Sequence, residues 1–181
     1  MMTLPPKYLF LDTEFTSFAN SELLSLALVS LNGEELYLEL DIRASQDPKI
    51  GGRLALANEF VVSKVLPQFG KLPQSICAPQ DFGHRLAEWL DQLSAGLPQD
   101  YYICYDWSTD YALFEQCLRE AGHWARLGPR LWPGNLGILI DDPNATQARH
   151  AAFALLKQRG LGPHHALADA WALAKAYESQ G

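Results

Sequence analysis

Tyr8-Leu9-Phe10-Leu11-Asp12-Thr13-Glu14 is a run of apolar residues that ends in two carboxylates one residue apart. The apolar run predicts a short buried strand over Tyr8–Leu11. Side chains of a strand alternate between its two faces, so Asp12 and Glu14 point to the same side at the strand end. Two like charges this close repel each other unless a cation lies between them. An ordinary acidic loop is the alternative that this stretch alone leaves open.

The segments that follow predict a mixed sheet with helices on both faces. Leu23–Leu31 and Glu35–Leu40 predict two more strands, and Asn32-Gly33 between them is typical of a hairpin turn. Strands and helices then alternate, with later strands predicted at Tyr101–Tyr105 and Leu136–Ile140. The predicted helices are a short one within Glu59–Phe69, then Gln80–Leu93, Asp110–Ala121, Asp142–Lys157 and Ala166–Tyr177, with loops at 42–57 and Leu72–Pro79.

Length and composition predict one globular domain over residues 1–181. This length is enough for one full hydrophobic core. No apolar run approaches the ~20 residues that cross a bilayer, and the first residues lack a signal-peptide pattern. The three cysteines, Cys77, Cys104 and Cys117, form no CxxC pair. They predict inert thiols in a protein of the reducing cytoplasm.

The net charge of −7 argues against tight binding of a long nucleic-acid duplex. Proteins that bind nucleic acid without sequence specificity usually present a basic surface. Residues 119–160 nevertheless contain six arginines and lysines against three acidic residues. The charge therefore remains compatible with a protein that grips a few terminal nucleotides.

Two further acidic motifs follow the first one along the chain. Asp110-Tyr111-Ala112-Leu113 opens a predicted helix, and His164-x4-Asp169 lies at the start of the last one. With Asp12-Thr13-Glu14-Phe15, and in this order, they resemble the three motifs of the DEDDh 3′–5′ exonucleases, which include ribonuclease T and oligoribonuclease. The first motif and the hairpin after it are most similar to the small stand-alone bacterial exoribonucleases. The resemblance implies a ribonuclease-H-like α/β fold, in which three antiparallel strands and then parallel strands form a mixed β-sheet flanked by helices.

The resemblance also implies a phosphodiester hydrolase that depends on two divalent ions, Mg²⁺ or Mn²⁺. The carboxylates would hold the ions because hard cations prefer oxygen ligands, and such ions stabilise the attacking and leaving oxygens. His164 would be the general base, since an unperturbed pKa of about 6.5 lets a histidine accept a proton near neutral pH. The implied catalytic residues are Asp12, Glu14, Asp110, His164 and Asp169, of which the four carboxylates are the metal ligands.

Two positions in these motifs have close competitors. The family pattern places a polar residue, often Asn, four positions before the catalytic Asp of the middle motif. Asp110 fits this pattern with Asp106 at the Asn position, and the alternative is that Asp106 is itself the catalytic residue. In the last motif, the family spacing of five residues before Asp169 selects His164, whereas His165 is only four residues away.

Aromatic residues next to the motifs are candidates for substrate contacts. Phe15 and Phe18 follow the first motif, and Trp107 lies inside the middle motif. Such rings either stack on bases or belong to the hydrophobic core. Three basic residues are either phosphate contacts or parts of a solvated helix face, namely Arg149, Lys157 and Arg159.

The expected partner is single-stranded nucleic acid, with RNA favoured, and no membrane. The expected reaction releases nucleoside monophosphates from the 3′ end of RNA. A DNA 3′–5′ exonuclease of the same superfamily would share the metal site, and contacts to the 2′-hydroxyl would separate the two. A catalytically silent nucleic-acid-binding module is a third interpretation, against which the intact carboxylates and His164 argue. Many relatives form a homodimer, but the sequence shows no clear interface stripe.

Overall fold

The computed structural model describes residues 7–94, 98–138 and 142–180. These residues form one sheet with the strands β1 (Lys7–Phe15), β2 (Leu23–Ser30), β3 (Glu35–Leu40), β4 (Ile76–Cys77), β5 (Tyr101–Tyr105) and β6 (Leu131–Asn135). The strand order is β4-β3-β2-β1-β5-β6. β2 runs antiparallel to β1 and β3, whereas β1–β5, β5–β6 and β3–β4 are parallel pairs. Three antiparallel strands joined to parallel ones make the predicted ribonuclease-H-like topology.

The central strands are apolar on both faces, which explains why helices cover both sides of the sheet. Leu9 and Leu11 of β1 point to one face and Phe10 to the other, and all three are fully buried. Every residue of β2 is also buried. Continuous burial of this kind is typical of a strand with a helical layer above and below it.

The helices form these two layers. They are α1 (Pro48–Leu54), α2 (Phe82–Leu93), α3 (Ser108–Glu120), α4 (Trp124–Leu127), α5 (Pro143–Leu156) and α6 (Ala166–Glu178). α2 and α3 share a core with the Leu9 face of the sheet, and α5 and α6 share one with the Phe10 face. In the described ranges, no helix has both the length and the apolar character of a membrane-crossing segment.

Several local predictions are confirmed. The hairpin turn lies at Asn32-Gly33, and Gly33 has a φ of +94°, which glycine adopts without strain. Helix α5 starts as predicted, since the Asp142 carboxylate accepts hydrogen bonds from the next backbone amides at 2.7 and 3.3 Å. The predicted helices Gln80–Leu93, Asp110–Ala121 and Ala166–Tyr177 correspond to α2, α3 and α6, with small shifts of their ends.

The prediction of a last strand at Leu136–Ile140 is wrong. The strand is β6, which lies immediately before that segment, and residues 139–141 fall outside the described ranges. Pro133 and Gly134 inside β6 conceal it from a sequence pattern. Proline is tolerated there because an edge strand has only one neighbour to pair with.

The segments predicted as loops contain short regular elements. Within 42–57 lies helix α1, where the Asp47 carboxylate accepts a hydrogen bond from the Lys49 amide at 2.8 Å and Pro48 occupies the first turn. Within 72–79 lies β4, which pairs with the end of β3. The short helix expected within 59–69 is irregular, with one π-helical turn at Val61–Val65 followed by a 3₁₀ turn.

The three cysteines are buried free thiols, which agrees with their apolar surroundings in the sequence. Burial raises the pKa of Cys104 and that of Cys117 to about 12. A thiol with so high a pKa is a poor nucleophile at neutral pH. The cysteines therefore contribute to packing rather than to chemistry.

Candidate active site

A pocket lies at the carboxyl ends of β1 and β5, where the pairing of the two parallel strands stops. The last paired residues are Phe10 and Cys104, so the residues after them border an opening in the sheet. Such openings are common ligand sites in α/β sheets. The pocket has a volume of about 280 Å³. Its lining includes every site residue expected from the sequence, namely Asp12, Glu14, Phe15, Phe18, Trp107, Asp110, His164 and Asp169.

Strand β1 supplies the first two carboxylates from within the strand rather than from a loop after it. β1 continues to Phe15, where Asp12 pairs with Ala27 of β2 and Glu14 with Ser25. The pairing register shifts between Glu14 and Phe15. Irregularities of this kind are frequent next to active sites, because they re-aim a side chain. The acidic pair is thus held by the most central strand of the sheet.

Thr13, between these two carboxylates, positions the third. The Thr13 backbone amide and hydroxyl both donate to Asp110 Oδ1, at 3.2 and 2.6 Å. Asp110 lies in the first turn of α3 and is buried. The two hydrogen bonds therefore fasten the start of α3 to β1 and fix the direction of the Asp110 carboxylate.

The acidic residues and His164 form two compact groups. Carboxylate oxygens of Asp12, Asp106 and Asp110 lie within 4.8 Å of one another. A second group with the same spacing joins carboxylate oxygens of Glu14 and Asp169 to a ring nitrogen of His164. The structure therefore brings both competitors of the middle motif, Asp106 and Asp110, to the site. They differ in their neighbours, because an Arg149 nitrogen lies 3.8 Å from Asp106.

His164 and Asp169 are coupled through the backbone. The His164 amide donates to Asp169 Oδ2 at 2.8 Å, so the carboxylate reaches back across the first turn of α6. His164 has a φ of +65°, in the left-handed region that side chains other than glycine seldom adopt. Such conformations persist where the surrounding structure imposes them, frequently at functional sites. The turn aims the His164 ring into the pocket.

His165 points the other way. Its ring is 1% exposed and packs on the Tyr37 ring, with 4.4 Å between the centroids. Burial lowers the pKa of His165 to about 4. Burial and the nearby charge of Lys64 lower the pKa of His164 as well. Of the two neighbours, His164 is the one that borders the pocket, as the five-residue spacing predicts.

The electrostatics of the pocket disfavour four ionised carboxylates. Burial raises the pKa of Glu14 to about 8, and the charges of Asp169 and Asp110 add to the effect. Burial likewise raises the pKa of Asp110 and that of Asp169 to about 7. Burial and then the four neighbouring carboxylates raise the pKa of Asp12 well above its ordinary value. A bound cation would reverse this balance by favouring the ionised forms.

One atom of the cluster has the environment that a metal ligand needs. Asp12 Oδ2 is buried and has no hydrogen-bond partner among the described residues. A buried acceptor without a partner costs about 1–3 kcal/mol. A divalent cation held by Asp12 and its neighbours would offset that cost, and an oxygen-rich donor set suits Mg²⁺ or Mn²⁺. The residues present therefore fit hard divalent cations.

Exposed aromatic rings border the pocket on two sides. On one side the Phe18 ring contacts Phe15 and Trp107, with centroids 5.2 and 5.7 Å apart. Phe18 is 69% exposed and Trp107 is 59% exposed, so neither belongs to the core. On the other side the Phe60 ring stands edge-on to His164 at 4.9 Å. The core alternative left open by the sequence thus applies only to Phe15, which packs partly against the core.

Sequence reasoning missed the second side of the pocket, which Asn58, Phe60 and Val61 form. Asn58 Oδ1 accepts a hydrogen bond from the Val61 amide at 2.9 Å, so an Asn at a helix start was the available signal. No pattern indicated that this turn borders the acidic residues. Among the three basic candidates, Arg149 lines the pocket, whereas Lys157 and Arg159 lie outside it.

No protein-family model matches the chain, and a search of curated proteins finds no significant relative. The pocket itself and the three motifs that line it are therefore the features that bear on function.

Proposed function

We propose that this chain is a metal-dependent 3′–5′ exonuclease that releases nucleoside monophosphates from the ends of single-stranded RNA. The supporting observation is the convergence of five carboxylates and one histidine from three distant segments in one pocket. A purely structural role does not explain this cluster, because like charges taken out of water destabilise a fold unless they are neutralised. A site for cations that act on a phosphodiester does explain it.

The reaction is the attack of a water oxygen on the phosphorus of the last phosphodiester. The bond from phosphorus to the 3′-oxygen of the preceding nucleotide breaks, and that oxygen takes up a proton. The products are a nucleoside 5′-monophosphate and a chain one nucleotide shorter. Two divalent ions held by Asp12, Glu14, Asp110 and Asp169 would stabilise the negative charge that develops on the phosphoryl oxygens.

His164 accepts the proton of the attacking water. Its ring nitrogen lies within 4.8 Å of carboxylate oxygens of Glu14 and Asp169, which places the base beside the proposed metal ligands. A general base must reach the proton directly or through one water. The hydrogen bond from the His164 amide to Asp169 holds the base and the carboxylate next to each other.

The aromatic side of the pocket holds the terminal base. Base stacking on an aromatic ring contributes about 1–3 kcal/mol per base and tolerates any sequence. Phe18 and Trp107 are largely exposed and line the pocket, and Phe15, which also lines it, contacts the Phe18 ring. The pocket volume is near the lower limit of roughly 300–1,000 Å³ for small-molecule sites, which suits one nucleotide rather than a duplex.

RNA is favoured over DNA by the similarity of the first motif and its hairpin to the stand-alone bacterial exoribonucleases. The buried free thiols agree with a reducing compartment, and we place the reaction in the cytoplasm. The same pocket would accept a DNA end, so matched RNA and DNA oligomers are needed to measure the preference.

A 5′-labelled RNA oligomer incubated with Mn²⁺ tests the proposal. We expect a descending ladder that EDTA abolishes and that a 3′-phosphate slows. Asp12→Asn should give no ladder, and Glu35→Gln, a carboxylate variant far from the pocket lining, should give a normal one. A DNA oligomer degraded as fast as RNA would favour the DNA exonuclease. Cleavage of a circular RNA would contradict an exonuclease, and binding without any hydrolysis would indicate the silent module.

A further inference from the structure

Three lysines on the His164 side of the pocket differ from most basic residues of the protein. Most arginines pair with carboxylates, for example Arg53 with Glu22 and Arg126 with Asp91. Within the described ranges, no carboxylate lies in ion-pair distance of Lys64, Lys71 or Lys157. The ion pairs in these ranges are Lys7–Glu34, Arg43–Asp41, Arg53–Glu22, Arg119–Glu115, Arg126–Asp91, Arg149–Asp106, Arg159–Glu35 and Lys175–Glu178. These three positive charges are thus available to a ligand.

Two of these lysines line a groove next to the pocket. The groove has a volume of about 410 Å³, and its lining includes Lys71, Phe153, Lys157, Gly162 and Pro163. Pro163 in the groove immediately precedes His164 in the pocket, so consecutive residues of the chain line the two cavities. The two lysines therefore border a cavity that lies next to the last motif.

The third lysine, Lys64, lies in the sequence between Val61, which lines the pocket, and Gln68, which lines the groove. Lys64 is exposed on the π-helical turn that follows Phe60. Its charge reaches His164, where it contributes to the lowered pKa of that ring. The charge of Lys71 acts in the same way on the next residue, His165. Lys64 and Lys71 thus both lie near the last motif.

Lys71 has hydrogen bonds within the protein, but only to neutral acceptors. Its ammonium group donates to the Gly160 carbonyl at 2.7 Å and to the Gln68 side chain. Neutral acceptors leave the positive charge uncompensated, and the ammonium group remains exposed. A phosphate could therefore bind it without first breaking an ion pair.

We propose that Lys64, Lys71 and Lys157 bind the backbone phosphates of the nucleotides on the 5′ side of the terminal one. This inference rests on the proposed function, since it assumes that the 3′ end occupies the pocket. The occupant is single-stranded nucleic acid, because a regular series of negative charges matches several lysines next to the last motif that lack an ion pair among the described residues, two of which line the groove. The lysines also offset the repulsion that a protein of net charge −7 exerts on a polyanion.

The groove distinguishes substrates by length. A dinucleotide has one phosphodiester, which is the bond to be cleaved, and cannot extend into the groove. A hexanucleotide has further phosphates on the 5′ side that reach the lysines. We expect Lys71 and Lys157 to favour longer oligomers without affecting the chemical step.

The test compares Lys71→Ala and Lys157→Ala with the matched control Lys49→Ala. Lys49 is an exposed lysine on α1 that lines neither the pocket nor the groove. Fluorescence anisotropy with a 5′-labelled hexanucleotide in Ca²⁺ measures binding, and hydrolysis in Mn²⁺ is followed on the hexanucleotide and on a dinucleotide.

Each groove variant should weaken hexanucleotide binding about two- to fivefold, the range of an exposed ion pair. The slope of log K against log salt should fall by about 0.7 for each phosphate that no longer binds a lysine. Dinucleotide hydrolysis and the Lys49→Ala variant should be unchanged. Lys157→Glu should weaken binding further than Lys157→Ala does.

Equal losses of affinity in Lys49→Ala and the groove variants would overturn the proposal, because they would indicate an effect of net charge alone. Equal losses on the dinucleotide and the hexanucleotide would overturn it too, as would a wild-type protein that binds no hexanucleotide. Binding that depends on the groove lysines, in a protein that hydrolyses neither substrate, would instead support the groove and overturn the exonuclease.

Discussion

The carboxyl end of β1 and the start of β3 both carry carboxylates, and their surroundings have opposite effects on them. At the end of β1, burial and neighbouring carboxylates raise the pKa of Asp12 and that of Glu14. At the start of β3, Glu35 accepts two hydrogen bonds from Arg159, at 2.6 and 3.0 Å, and one from Trp171 at 2.9 Å. Partial burial alone would raise the pKa of Glu35, but these hydrogen bonds and the Arg159 charge lower it.

The difference separates a carboxylate that serves the fold from one that serves a ligand. Glu35 joins β3 to α6 and to the turn after α5 through partners that the protein itself supplies. The carboxylates of the pocket instead accumulate repulsion, although Arg149 lies nearby. A fold retains such a cost when the site gains something from it, such as a bound cation. Variants at the two places should therefore have opposite effects on stability and activity.

The largest effect is expected from Asp12→Asn. Loss of a central metal ligand should lower kcat/KM by about 10³-fold or more, because metal stabilisation supplies several kcal/mol and each 1.36 kcal/mol is a factor of ten. The same substitution should raise the free energy of unfolding in EDTA at pH 8, because it removes a carboxyl group whose ionisation the folded state disfavours. Rates in Mn²⁺ and urea unfolding in EDTA measure the two effects. A variant that is both active and less stable would contradict the comparison.

The next largest effect concerns the two adjacent histidines. His164→Asn should lower the rate by about 10²–10⁴-fold, the range for a lost general base. Its stability should change little, because Asn tolerates the left-handed backbone that His164 adopts. His165→Ala should leave the rate nearly unchanged. It should cost about 1–3 kcal/mol of stability, because it removes a buried ring.

Rates at saturating Mn²⁺ and thermal unfolding of the two variants, measured in parallel, check this pair. Near-normal activity in His164→Asn together with a large loss of activity in His165→Ala would show that the assignment in the last motif is wrong by one residue.

The stability of the metal-free protein should depend on pH, and the carboxyl groups of the pocket should determine the sign of that dependence. The folded pKa of Glu14 is about 8, above the ordinary value of 4.5. The folded state therefore binds more protons than the unfolded state between these values, and stability falls as pH rises through this range. Mn²⁺ at 100 times its Kd should restore about 2.7 kcal/mol at pH 8.

Thermal unfolding in EDTA and in Mn²⁺, between pH 5 and pH 8, measures this dependence. Glu14→Gln should make the curve less steep in EDTA, because one titrating group is then absent while Asp12, Asp110 and Asp169 remain. A wild-type protein that gains stability in EDTA as pH rises over this interval would refute the predicted sign.

The smallest effect is expected from Glu35→Gln. Glu35 has a lowered folded pKa, so its contribution to stability is present above the unfolded pKa and is lost as pH falls through the folded pKa. The pair is partly exposed, so the loss of stability at pH 7 should be only about 0.2–1 kcal/mol. At acidic pH the stability of the variant should approach that of the wild type, and its kcat should be unchanged. Urea unfolding at pH 7 and at pH 3 measures the two stabilities. A loss of stability that persists at pH 3 would contradict the predicted titration of Glu35.

The acidic residues of the site could be predicted from the sequence, because strand and helix periodicity depend on residues that are neighbours in the chain. The spacing of Asp12 and Glu14 predicted their common side, whereas the choice of His164 over His165 came from the motif spacing of the DEDDh exonucleases that the chain resembles. The strand, hairpin and helix pattern predicted a mixed sheet with helices on both faces, and it depends on residues close together in the chain. The full ribonuclease-H-like topology was implied by the resemblance to the DEDDh exonucleases.

The remaining features depend on contacts between distant segments. Phe60 borders the pocket from an irregular turn with no periodic pattern, and its approach to His164 follows from tertiary packing. Strand β6 contains Pro133 and Gly134, which local propensity excludes from a strand, but its edge position tolerates them. The groove lysines differ from most of the other basic residues in their lack of an ion-pair partner among the described residues, which depends on tertiary contacts and not on the local sequence.

Anomalous scattering from a crystal soaked in Mn²⁺ tests most directly whether the carboxylates at the end of β1 form a metal site. We expect peaks among Asp12, Glu14, Asp110 and Asp169, and their disappearance in Asp12→Asn crystals under the same soak. No peak in this pocket, or an equal peak in the Asp12→Asn crystals, would contradict a metal-binding role for the cluster.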